Sequence, residues 1–126
     1  MASQTESQYT GDWLKWEEDN FYSREAITIL AGSGAARALT SGMVLGKVTA
    51  SSKYVQVDDT ASDGSQTVAG VLLLDVTAAD GTDADGVAIV RDAIVSDNGL
   101  TWPSGFNETT GAAALESLGI MVRTGS

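Results

Sequence analysis

From Glu25 onward the chain is a succession of short β-branched runs interrupted by clusters of Gly, Ser, Asp and Thr. That rhythm predicts a small β-rich domain, because brief apolar runs bounded by turn-forming residues are the signature of strands. Strands are expected near Ala26–Leu30, Met43–Thr49, Lys53–Val57, Val68–Val76, Val87–Val95 and Gly119–Arg123, joined by Ala31–Ser41, Asp58–Gln66, Ala78–Gly86 and Ser96–Gly111. One helix is expected over Thr109–Leu118, where good helix formers lie between a Thr cap candidate and Gly119 as a stop. The fold class is therefore mainly β with one short helix, an α+β domain. Fourteen glycines suit many tight turns, and the single proline, Pro103, stays out of the strand interiors. Val71, Leu72, Leu73 and Leu74 are continuous rather than alternating, so that strand is expected to be covered on both faces, partly by a neighbouring subunit.

The chain has 126 residues, enough for one domain. Seventeen acidic against seven basic residues give a net charge of −10, which argues against nucleic acid as a direct partner. The absence of histidine and cysteine removes the commonest general base, thiolate nucleophiles and Cys-type zinc sites. No apolar run approaches the roughly 18 residues of a membrane span. The first residues lack the pattern of a signal peptide, so a soluble protein is expected.

Residues 1 to 25 differ in composition from the rest and are expected to form an extended arm, with residues 26 to 126 as the β-rich domain. The arm is polar and acidic, yet it carries Tyr9, Trp13, Leu14, Trp16, Phe21 and Tyr22. Apolar anchors in a polar terminus are unfavourable if left in water. Either they cover an open end of the domain, or they dock on a partner by adding to a sheet edge or lying in a groove. The second reading is preferred. Replacing Trp13 and Trp16 by Ala is then expected to weaken docking and spare the fold. Trp102 and Pro103 stand in a Gly-rich loop, where an indole must bury against the domain's own core or against another subunit.

Other motifs give less. The loop from Asp80 to Gly86 spaces carboxylates by two, as calcium loops do, but Gly81 and Asp92 stand where the first Asp and the final Glu of an EF-hand belong. A solvated turn is preferred there, and again at Asp58–Ser65. Gly32-Ser33-Gly34 has no Gly-Lys-Thr/Ser behind it, so it is an ordinary turn and not a phosphate loop. No Gly-x-Ser-x-Gly elbow and no Ser-x-x-Lys spacing is present. No catalytic, cofactor-binding or metal-ligating residue is assigned.

The order of several blocks resembles the phage head decoration protein family, of the lambda D type. They are Arg24-Glu25-Ala26-Ile27-Thr28, the run from Leu39 to Thr49, the run from Asp63 to Leu72, Val87–Val95, Trp102-Pro103 and Leu118-Gly119-Ile120. The resemblance implies a β-clip-like domain with no enzymatic activity, assembled as a homotrimer on the outer surface of the phage head. It further implies that the arm pairs with the major capsid protein at three-fold sites of the expanded shell, after synthesis in the host cytoplasm. Val71, Leu72, Leu73, Leu74, Trp102 and Pro103 would then be candidates for the subunit interface. The competing reading is a non-catalytic carbohydrate- or peptide-binding β module. A nucleotide hydrolase of the trimeric β-clip type is disfavoured, because no metal-binding carboxylate motif or phosphate-contacting group is visible.

Overall fold

The computed structural model describes residues 13–17, 23–103 and 105–123. Among the described residues ten strands and one α-helix follow in chain order: β1 (Leu14–Glu17), β2 (Arg24–Ile29), β3 (Arg37–Leu39), β4 (Val44–Val48), β5 (Lys53–Gln56), β6 (Val68–Leu72), β7 (Val76–Ala78), β8 (Ala84–Ile89), β9 (Ala93–Ser96), α1 (Glu108–Ser117) and β10 (Ile120–Arg123). The protein is mainly β with a single short helix, as its strand and turn rhythm predicts.

Five strands close into a barrel in the order β2-β5-β4-β6-β8. All neighbours are antiparallel except β2 and β5, which meet in parallel where Ile29 pairs with Tyr54. Outside the barrel, β9 is the middle strand of a second sheet, antiparallel to β1 and parallel to β10. Strands β3 and β7 form a separate antiparallel pair.

Two apolar clusters explain the continuous hydrophobic runs. Val44, Val71 and Ile89 belong to one, with Trp13, Val95, Leu115 and Ile120; their chain neighbours Leu45, Leu72 and Ala88 belong to the other, with Ile27, Ile29 and Tyr54. Successive strand residues point to opposite faces, and here both faces of β4, β6 and β8 are covered. The cover over Val71, Leu72 and Leu73 comes from this chain itself, with exposures of 0%, 0% and 3%.

The two longest expected strands are each broken in two. The run from Val68 to Val76 stops at Leu72; Leu74 turns outward, and Asp75 accepts a hydrogen bond from the Ser41 amide before β7 begins. The run from Val87 to Val95 is interrupted at Asp92, whose φ of 46° lies in the left-handed region, so β8 stays in the barrel while β9 passes into the second sheet. Strand β3 lies within the expected linker Ala31–Ser41, and β1 lies within the expected arm. The helix begins one residue earlier than expected. Its cap is Asn107, whose side chain accepts a hydrogen bond from the Thr110 amide at 3.1 Å, and not a threonine.

Candidate docking surface

Trp13 is the first described residue, and its side chain is completely buried. The indole nitrogen donates to Ser41 Oγ at 2.8 Å, and Ser41 Oγ donates onward to the Leu73 carbonyl at 2.7 Å. Gly42 lies beside the ring with φ +91°; a Cβ there would run into the Gly99 carbonyl oxygen and the Trp13 ring. The Ser41-Gly42 turn is thus a fitted seat for the indole, polar at the nitrogen and bare where the ring passes.

The seat fixes the start of β1. Leu14 pairs with Val95 and packs on the core, Trp16 pairs with Ile94, and Glu17 pairs with Ala93. Glu17 also accepts from two nitrogens of the Arg24 guanidinium, at 2.8 and 2.6 Å, tying the end of β1 to the start of β2. That hydrogen-bonded partner raises the Arg24 pKa above its ordinary value. A strand expected to pair with a partner therefore pairs within this chain. Trp13 and Leu14 serve its core, whereas Trp16 is 48% exposed. Tyr9, Phe21 and Tyr22 lie outside the described residues.

Among the candidates for a subunit contact, Val71, Leu72 and Leu73 are interior, while Leu74 is 58% exposed. Trp102 is partly buried and stacks on Phe106 at 5.3 Å, with its ring against Gly111 of α1, where a Cβ would collide with it. Pro103 is also partly buried. Trp102 thus helps close the domain's own core and shows a remaining edge to a surface groove of about 480 Å³ shared with Asp97, Glu108, Glu116 and Val122.

The two loops with Gly and Asp motifs fasten to each other. Asp80 accepts from the Gly34 amide and Asp83 from the Ala31 amide, both at 2.9 Å, and Asp83 also pairs with Lys53 at 2.6 Å. The bond from Lys53, followed by that from Ala31, holds the Asp83 carboxyl below the usual carboxylate range. Among the described residues no group of three or more acidic, His or Cys side chains could hold a metal ion.

Sequence reasoning missed Ser41 as the seat of Trp13 and Met121 as an exposed apolar residue, at 49%. The first is signalled only by a turn. The second could have been found from β10, where Ile120 is buried and Met121 must face the other way.

None of the curated proteins compared with the chain matches it. The family model for bacteriophage lambda head decoration protein D matches residues 3–121, so the chain belongs to that family of phage head proteins.

Proposed function

We propose that the protein is a homotrimeric cement subunit that binds the outside of the expanded phage head at three-fold sites, where its N-terminal segment engages the major capsid protein. Membership of the head decoration family gives the capsid role and carries this reading. The fixed position of Trp13 supports the part played by the arm. Residues 1–12 precede a residue anchored in the core, and a chain of twelve residues, if extended, spans at most about 40 Å, far enough to cross onto a neighbouring protein.

The mechanism is linkage. A subunit that binds the expanded lattice and not its precursor stabilises the expanded state by RT ln(1 + [L]/Kd) per site, and three arms on one trimer add through effective concentration. Many modest contacts then oppose the pressure of packaged DNA. Synthesis in the host cytoplasm and assembly onto the finished shell complete the proposal.

The test is co-sedimentation with decoration-free expanded capsids, comparing the full chain with one that lacks residues 1–12. Saturable binding at one trimer per three-fold site, lost with the arm, is the expected outcome. Failure of the full chain to bind would remove the proposal. A deletion through residue 22 is unsuitable, because it would take Trp13 and β1 out of the domain.

A further inference from the structure

The sheet β1-β9-β10 buries one face in the core; on the other, Ser96 is buried and Ile94 half-buried, while Trp16 and Met121 are exposed. Ala93, Val95 and Ile120 are 1% exposed or less and belong to the core. On the opposite face, Trp16 pairs with Ile94 and Ile94 pairs with Met121, so these three side chains form one row across all three strands. Trp16 and Met121 are two of the three large hydrophobic residues exposed among the described ones. The row is also set apart in charge. The only ionisable residues of the three strands are Lys15, Glu17 and Arg123, a net charge of +1 in a chain of −10.

We infer that the row Trp16–Ile94–Met121 is a second capsid contact, lying flat on the major capsid protein beside the arm; this rests on the decoration reading above. The size of the face argues against a self-sufficient contact between two copies. Three strands about 4.8 Å apart and four residues long present about 200 Å², against about 800 Å² per partner in a stable protein pair. A patch of that size needs a second contact to the same partner. Residues 1–12 join the chain one residue before the strand that carries Trp16, so a protein engaged by the part of the arm nearest that strand would lie within reach of the row. The low charge and the aromatic and Met side chains match the centre of an interface, whose rim would be formed by Lys15 and Arg123.

Trp16→Ser, Met121→Ser and the double variant, each with its arm intact, test this by binding to decoration-free expanded capsids, with melting temperature and sedimentation velocity measured alongside. Because both side chains are half exposed on different strands, each single variant is expected to keep the melting temperature and oligomeric state of the wild type. Each is expected to raise the capsid Kd at least about tenfold, the scale of an interface anchor. Trp16→Phe should restore most of the affinity lost in Trp16→Ser. If the wild type binds and the double variant binds equally well, the row is not a capsid contact, although the decoration reading stands. If the double variant dissociates into smaller species while each subunit still binds capsid normally, the row joins copies of this chain and the inference falls. If the wild type itself does not bind, the decoration reading and the inference fall together.

Discussion

Trp13 shows how one side chain can change the role of a segment. A tryptophan in an acidic terminus suggests an anchor for a partner, but here the indole fills the protein's own core and its nitrogen reaches Ser41. Trp13→Ala should therefore cost about 3–5 kcal/mol of stability, the usual cost of emptying a large buried site. Ser41→Ala would leave the indole N–H and the Leu73 carbonyl without that hydroxyl, and should cost about 1–3 kcal/mol. Chemical denaturation of both variants checks the order. Equal midpoints for Trp13→Ala and wild type would contradict the burial of the ring. Ser41 could not be identified from sequence, because a Ser-Gly pair reads as any turn until the residue 28 positions earlier is placed against it.

At the level of elements, connections matter as much as strands. The loop from Asp80 to Asp83 is held to the loop from Ala31 to Gly34 by backbone-to-carboxylate bonds, and Lys53 at the start of β5 reaches the same Asp83. The Asp83 carboxyl is held below its usual pKa of 3.8, so the unfolded chain takes up the proton first as pH falls. Its stabilising contribution is complete above that value and is lost as pH falls through the lowered native pKa. Asp58 and Asp63 behave alike through their bonds with Thr60 and Ser65. Thermal melts between about pH 5 and pH 2 should show stability falling with acid, and Asp83→Asn should flatten part of that slope. In α1, Asn107→Ala should cost about 1 kcal/mol by removing the cap, whereas Thr109→Ala should cost less, since Thr109 does not cap the helix. The sequence showed the helix because Ala-rich composition and the Gly119 stop are local signals. The cap was misplaced because Asn and Thr are both good candidates, and only the backbone decides which one stands at the boundary.

For the whole molecule, the described core includes Trp13 and β1, so truncations on either side of them have different expected effects. Removing residues 1–12 should leave the melting temperature close to that of the full chain, because the described core remains intact. Removing residues 1–22 should lower it sharply and promote aggregation, since β9 keeps only β10 and becomes an edge strand, and the core loses an indole. Differential scanning calorimetry of the two truncations checks this division. Indistinguishable melts would show that β1 contributes little to the body. The described contacts also remove the need for a neighbouring subunit over Val71–Leu73, and leave Leu74 as the exposed member of that run.

The fold class, the position of the helix, four strands to within two residues at either end and the family resemblance are legible in local signals, because strand runs, turn residues and helix formers act over a few positions. The acidic, histidine-free and cysteine-free composition is likewise read directly from the sequence. Tertiary structure decided which apolar residues are satisfied within the chain. Trp13 and Trp16 lie three residues apart, yet one is buried against Ser41 and Gly42 and the other stands in a row with Ile94 and Met121. Their fates depend on residues distant in the chain that closure of the barrel and addition of β1 to β9 bring within reach. Burial is a property of that assembled neighbourhood, and local composition does not encode it.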